Sequence, residues 1–354
     1  MKFGIFDYVD HRREPLSKTY EDRLCLLEAA EDAGFYGYHV TEHHSTPLSA
    51  TPSPTVFLAA AAQRTTRIRL GALLFLLPLY HPLRLLEEFC MLDHLSNGRL
   101  DIGVGRGVSP YEFGSFGVSL EDSGKAFEEV LDILYKGFAR ERIDHQGARF
   151  QLCDVPVPMR PLQQPYPPFW YGLRGGDQPA LLAAGRGMNV VTLGPEDRVT
   201  RNILRFREAW ESEADARRAF GSPVTNPLIG VMRAIFIADS DKEAEHVARP
   251  AYHQWADSLM WLWKDKGGVS PLPIPLEYDK AIEARTLVVG NAAKVREELK
   301  RQAAVCGHNY LVLQLAFGNL THAQEMHSLR LFRSEVMPAL SPLGEARRAV
   351  AAPA

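Results

Sequence analysis

The chain has 354 residues, 46% of them hydrophobic and 23% charged, proportions that suit a globular protein and exclude a fibre or a disordered tail as the dominant state. Forty Lys and Arg against 43 Asp and Glu leave a formal charge of −3, which supplies neither the basic face of a nucleic-acid binder nor the polybasic patch of a membrane-surface protein. The length suits about two domains of ~150 residues, or one α/β barrel with its insertions.

Taken in chain order, short β-like runs alternate with amphipathic ones. Phe3–Phe6 predicts a strand and Tyr20–Ala33 a helix, with Leu24, Leu27 and Ala30 at helical spacing and Gly34 as its stop. Tyr36–Thr41 predicts a second strand, and Pro54–Arg64, Ala-rich with proline at its start, a second helix. Ile68–Leu77 is almost wholly apolar, as a strand buried on both faces should be. Leu83–Leu95 predicts a helix, Arg99–Val104 a fourth strand and Leu120–Phe138 a long helix. The six prolines between Pro156 and Pro168 forbid a central strand or helix there. Further strands are predicted at Phe169–Gly172, Asn189–Leu193, Arg233–Ala238 and Leu311–Leu315. The intervening helices fall at Gln178–Ala184, Pro195–Ala219 and Asp241–Ala256, with a last one at His322–Val336.

Eight strands separated by helices predict a single (β/α)8 TIM barrel, an α/β fold with insertions in its βα loops, over residues 1–340. The insertions are expected near 146–168, as a small hairpin and an extended connector, and near 258–285, as a loop or lid over one mouth. A flexible tail is expected over 341–354. Cys25, Cys90, Cys153 and Cys306 lie far apart without a CxxC pair, so no zinc ribbon, thioredoxin-like motif or disulfide framework is indicated. The first apolar stretch ends at Asp7, too early for a signal-peptide core, and Gly71–Leu77 is too short to cross a bilayer. A soluble cytoplasmic protein is the expectation.

In such a barrel the active-site residues stand at the C-terminal ends of the strands. Those ends carry Asp7-Tyr8, Glu42-His43-His44, Tyr80-His81-Pro82, Gly103-Val104-Gly105-Arg106-Gly107 and Leu173-Arg174-Gly175-Gly176-Asp177. On extended backbone Glu42 and His44 share one side and His43 takes the other. The three titratable groups read either as a polar surface loop or as part of a site. The histidines also leave a metal open, but strand one offers Asp7 without a His-x-His pair, which favours an organic cofactor. The run Gly103–Gly107 is not GxGxxG, because Val108 replaces the third glycine, nor is it a P-loop. It reads as glycines that let a strand end turn, or as close backbone approach to a flat ligand with Arg106 beside an anion. Gly175-Gly176 before a helix reads as a cap by Asp177 and equally as a phosphate site built of free amides.

The chain resembles the bacterial luciferase-like family of flavin-dependent monooxygenases. Matching stretches are Phe3–Phe6, Glu42-His43-His44, Leu77-Pro78 through His81–Arg84, Leu92–Arg99, Gly103–Gly107, Ala183-Ala184 through Gly187, and Ser328–Phe332 through Met337-Pro338. The resemblance implies a (β/α)8 barrel that binds reduced FMN supplied by a separate flavin reductase. It would then oxygenate a small organic substrate with O2 through a flavin hydroperoxide, the protein positioning the cofactor and excluding water. It further implies that His43 is the active-site histidine, with Glu42 and His44 shaping its pocket. Leu73-Leu74 matches a pair that the family often holds as a non-prolyl cis peptide beneath the flavin ring. Gly105 stands beside the ring's reactive edge, where luciferase has a cysteine. Arg106 matches an arginine near the flavin phosphate, Gly175 and Gly176 match its backbone cradle, and Arg174 is a second candidate there. No metal is implied. A homodimer is implied, through Pro54–Arg64 and Leu83–Leu95. The alternatives are hydride transfer with a deazaflavin, a non-catalytic flavin-binding protein, and a metal-dependent barrel hydrolase.

Overall fold

A computed structural model describes residues 1–11 and 14–343. Eleven strands are present among them: β1 Lys2–Asp7, β2 Gly37–Val40, β3 Arg69–Leu76, β4 Leu100–Gly105, β5 Arg142–Gln146, β6 Gln151–Pro156, β7 Phe169–Leu173, β8 Asn189–Thr192, β9 Ile229–Ile237, β10 Leu287–Gly290 and β11 Tyr310–Gln314. The helices are α1 Leu16–Asp32, α2 Pro54–Arg64, α3 Pro82–Leu95, α4 Pro110–Ser115, α5 Ser123–Ala139, α6 Asp177–Gly185, α7 Glu196–Ser212, α8 Ala214–Phe220, α9 Asp241–Asp265, α10 Tyr278–Glu283, α11 Ala292–Cys306, α12 His322–Leu331 and α13 Met337–Leu340.

Eight parallel strands close the barrel in the order β1-β2-β3-β4-β7-β8-β9-β11 and back to β1. They are the eight that the alternation of apolar runs predicts. β10 is a ninth strand that the sequence pattern did not reveal: four residues long, it continues the edge of β9 where β8 ends, pairing Leu287 with Ala234. Helix α11 after it was likewise unforeseen. Two further expectations are corrected. The helix predicted over Pro195–Ala219 breaks at Glu213, where the chain turns and Arg217 reaches back over the Trp210 ring and donates to the Trp210 carbonyl. The helix predicted to end at Ala256 runs on to Asp265 in spite of Pro250, so the first third of the expected lid is helix, and the irregular part is 266–277. The predicted hairpin is β5–β6, antiparallel and starting at Arg142, with the proline-rich connector after it. Of the predicted tail, residues 344–354 lie outside the described residues.

Alternation along the strands sorts the core into two. Phe3, Ile5, Leu311 and Leu313 face the outer helices, whereas Phe6, Trp170, Met232, Tyr310 and Val312 fill the barrel interior. Within it His39 bonds the Tyr310 hydroxyl at 2.8 Å and tilts against Trp170, and burial lowers its pKa to about 4. A second polar group sits on the outer face. Arg23 of α1 meets Asp7 at 3.2 Å and both Glu325 oxygens at 2.8 Å, and all three side chains are fully buried. Asp7 also accepts from Tyr38 and, at 2.7 Å, from the Val9 amide. Burial opposes the Arg23 charge, but the two carboxylates outweigh it and hold its pKa above the usual arginine value. Asp7 therefore stitches β1 to α1 and α12.

Truncating the cation would strand two buried carboxylates. Arg23→Met is expected to lower unfolding free energy by about 3–5 kcal/mol in urea titration. A loss below about 1 kcal/mol would show that the three groups do not act as a buried ion network.

Candidate active site

The strand ends on one side of the barrel gather the chemistry-bearing groups. β2 runs out into Glu42-His43-His44, and the pleat sends the neighbours to different partners. Glu42 is 2% exposed. Its Oε1 pairs with His44 Nε2 at 2.9 Å, and its Oε2 accepts from the Leu76 amide at 2.9 Å and from the Tyr80 hydroxyl at 2.8 Å. Beside that carboxylate, after burial itself, the Tyr80 phenol is pushed well above its usual pKa. His44 packs edge-on against Phe116.

His43 turns the other way. Its Nδ1 lies 3.1 Å from Glu112 Oε1, and the same oxygen accepts the His44 amide at 2.8 Å. Ser109 caps α4 by accepting the Glu112 amide at 3.3 Å, so the loop after β4 delivers Glu112 to the histidine. The His43 side chain is 22% exposed and Glu112 only 5%. Burial alone would raise the Glu112 pKa; His43 and the His44 amide overcome that and lower it. Tyr8 stacks on the His43 ring at 5.9 Å, with its hydroxyl pKa raised by burial first and then by Asp10 and Tyr252. An acid-oriented imidazole with its other edge toward a cleft is the arrangement of a general acid–base group. The cleft lies between His43, Glu112, Ser109, Leu259, Trp263 and Leu272.

On β3 the Leu73–Leu74 peptide is cis. The Leu74 side chain lies across β4 and β7: a Cβ at Gly105 would sit 2.6 Å from Leu74 Cδ1, and one at Gly172 2.8 Å from it. Glycine at both positions is what lets this leucine in.

Across the mouth stand three cations. Arg106 follows β4, Arg174 follows β7, and Arg198 comes from the first turn of α7. Arg198 donates to the Arg174 carbonyl, and Arg174 to the Gly107 carbonyl at 3.2 Å. Arg174 as a whole stays exposed, yet its pKa falls to about 10, first from the protein packed round it and then from Arg106 and Arg198. Among the described residues none of the three pairs with a carboxylate. The adjacent acids Asp177 and Asp197 turn to Arg205 at 3.3 Å and Arg201 at 2.7 Å. Gly175 and Gly176, with φ of 105° and 84°, bring the chain to the start of α6. Crowded, unneutralised positive charge beside the free amides of a helix start fits a phosphate.

The sequence-derived candidates thus fall into three groups: Glu42, His43 and His44 in one acid-braced cluster, Leu73, Leu74 and Gly105 in the barrel mouth, and Arg106, Arg174, Gly175 and Gly176 on its rim. Tyr8 and Tyr80 were named at strand ends without a role, and Glu112 and Arg198 were missed. His39 and His81 stand apart from the cluster, bonded to Tyr310 and packed on Phe150 respectively. Among the described residues no three His, Cys, Asp or Glu side chains gather as a metal site.

The luciferase-like monooxygenase family model matches residues 1–308, and the chain belongs to that family. A protein of Sinorhizobium fredii with no assigned function is 38% identical over 339 residues, which cover 95% of this chain and 96% of the relative. The oxygenase component of the flavin-dependent trigonelline monooxygenase of Acinetobacter baylyi is 27% identical, over 96% of each chain. Among solved structures, the monooxygenase RslO1 of Streptomyces bottropensis superposes with a TM-score of 0.84 at 27% identity, covering 96% of this chain and 99% of that one. Two more distant structures share the fold alone. One is the FMN-bound oxygenating constituent of 3,6-diketocamphane monooxygenase of Pseudomonas putida, with a TM-score of 0.76 at 22% identity, over 96% and 98% of the chains. The other is an F420-dependent secondary alcohol dehydrogenase, with a TM-score of 0.71 at 18% identity and the same coverage.

Because the folded-state pKa of Glu112 is depressed, its contribution to stability is complete above the ordinary carboxylate range and is lost as the pH falls through the folded value. Between pH 6 and pH 3 the Tm of the wild type is therefore expected to fall more steeply than that of Glu112→Gln. Parallel acid limbs would show that the His43–Glu112 contact carries no charge coupling.

Proposed function

We propose that this protein is the oxygenase of a two-component, flavin-dependent monooxygenase. It would use reduced FMN from a separate reductase, and O2, to oxygenate a small organic substrate. The observation that carries the reading is the pairing of two half-sites on one barrel mouth: the Glu112-braced His43 facing a cleft, and the arginine rim at the start of α6. Family membership supports the oxidoreductase class, and the trigonelline relative is itself named as an oxygenase component.

In this reading Arg106, Arg174, Arg198 and the amides at Gly175 and Gly176 hold the FMN phosphate. Leu73, Leu74 and Gly105 would contact the flavin ring, with Leu74 offering the bulky apolar side chain. Bound reduced FMN supplies the two electrons that activate O2. His43 Nε2 gives or takes the proton at the reacting oxygen, while Glu112 holds Nδ1 and so fixes which ring nitrogen faces the cleft. Glu42 and His44 keep the wall behind it in place. Leu259, Trp263 and Leu272 exclude water. The F420 neighbour keeps hydride transfer as the competing reading, and the same arginine rim would accept the phosphate of either cofactor. No helix of the described chain is long and apolar enough to cross a membrane, and the reading places the enzyme in the cytoplasm beside its reductase. It also includes a homodimer through α2 and α3, whose outer faces carry exposed Val56, Met91 and Leu95; light scattering reads that state directly.

Oxygen consumption with FMN and a flavin reductase, screened over small organic substrates, tests the proposal. Turnover is expected to need FMN and to drop by about 100-fold or more in His43→Ala. Reduction of F420 without O2 would overturn it in favour of hydride transfer. On the phosphate side, Arg198→Ala is expected to weaken FMN binding at least tenfold while leaving riboflavin, which lacks the phosphate, unchanged. Equal losses for both would place the phosphate elsewhere.

A further inference from the structure

A second pocket lies further into the barrel mouth. Its walls are Met232 and Ala234 of β9, Tyr252 and Trp255 of α9, Ile274 of the irregular 266–277 segment, and Gln314 at the end of β11. It adjoins the His43 site through aromatic rings, because Tyr8 stacks on His43 at 5.9 Å and lies 5.8 Å from Trp255. No residue lining it is charged.

Gln314 is the unusual member. The pleat of β11 puts it on the inward face with Tyr310 and Val312. It is 1% exposed, yet neither its Oε1 nor its Nε2 has a hydrogen-bond partner within the protein. Two other polar groups around it are served: the Thr286 hydroxyl donates to the Ala281 carbonyl at 3.2 Å, and the Tyr252 hydroxyl donates to the Pro275 carbonyl. The indole N–H of Trp255 is a second donor without a partner. A buried amide with both ends unpaired works against folding, whereas Met or Leu would fill the same volume at no such cost. A group kept under that penalty, at a strand end in the mouth of a barrel, fits recognition of a ligand.

We infer that this inner pocket is the substrate-recognition subsite, and that Gln314 reads an uncharged group presenting a hydrogen-bond donor and an acceptor side by side. A carboxamide or lactam on a compact, otherwise apolar molecule has that chemistry. Its carbonyl accepts from Gln314 Nε2 while its N–H donates to Oε1, and the apolar remainder lies against Met232, Ala234 and Ile274. A charged ligand is disfavoured, because nothing in the wall neutralises it. The inference rests on the oxygenase reading only for the word substrate; the binding chemistry stands on the pocket itself.

Benzamide, acetophenone and benzoate separate the possibilities, since they share a ring and differ in the polar group. Titration calorimetry on the full chain without flavin is expected to give benzamide roughly tenfold tighter binding than acetophenone, with benzoate weakest. Gln314→Met should bring benzamide and acetophenone to equal affinity with a Tm no lower than wild type. A Gln314 held by the fold for structural reasons would instead lose Tm on that change while the benzamide preference persisted, which overturns the inference. So does a wild type that prefers benzoate, ranks the probes alike, or binds none of them at millimolar concentration. If benzamide preference tracks Gln314 but flavin-dependent O2 uptake never appears, the oxygenase reading fails and the ligand chemistry survives.

Discussion

The buried carboxylate of Glu42 is the point on which the mouth of this barrel turns. It receives the Leu76 amide as β3 ends, the Tyr80 hydroxyl from the turn beyond it, and the imidazole of His44 from its own strand. Those three contacts lock the exit of β2 to the exit of β3, on the stretch that also carries Leu73 and Leu74. A carboxylate this deep persists only with its lone pairs occupied. Each partner is therefore as necessary to Glu42 as Glu42 is to them. The alternation of extended backbone does the rest: with Glu42 and His44 turned to each other, His43 must face the opposite way, where Glu112 meets it.

Net charge conceals how the mouth is organised. Acids sit deep and bases sit on the rim. Glu42 and Glu112 are each matched to a histidine, so neither offers free negative charge to a ligand. Arg106, Arg174 and Arg198 crowd one another instead, and the Arg174 pKa is depressed first by the protein packed round it and then by the two neighbouring cations. A chain with nearly balanced charge thus keeps one strongly positive spot, and it falls where a helix start adds partial positive charge of its own. The Asp7–Arg23–Glu325 group shows the opposite design on the outer face: two acids and one base, closed off from solvent and paired with each other.

Much of this was legible in the sequence. Apolar runs such as Ile68–Leu77 and a terminator such as Gly34 marked strands and helices, and the rule that barrel chemistry gathers at strand ends picked out Glu42–His44, Arg106 and Arg174. What escaped had no local signal. β10 is four residues long, with none of the alternation that identifies a strand. Glu112 and Arg198 lie on helices, away from the strand ends in sequence, and only the closing of the barrel brings them to His43 and Arg174. Gln314 did carry a signal. In Tyr310-Leu311-Val312-Leu313-Gln314 a period of two places the one polar residue on the inward face, a mismatch that propensity alone does not weigh.

The residues beyond a minimal barrel explain why specificity is hard to read from the fold. Helix α9 runs for 25 residues, and its inner face presents Tyr252 and Trp255 to the inner pocket and Leu259, Leu262 and Trp263 to the His43 cleft. The segment after it returns over both, with Leu272 at the outer and Ile274 at the inner. Two pockets therefore share one helix and one loop, so a change of side chain on α9 alters the shape of both. His43, Arg106 and Arg174 are fixed by strand ends, whereas much of the wall of both pockets hangs on α9 and the segment after it, which are free to vary without disturbing the barrel. Gln314, like Met232 and Ala234, stands on a strand, and the barrel itself determines its position.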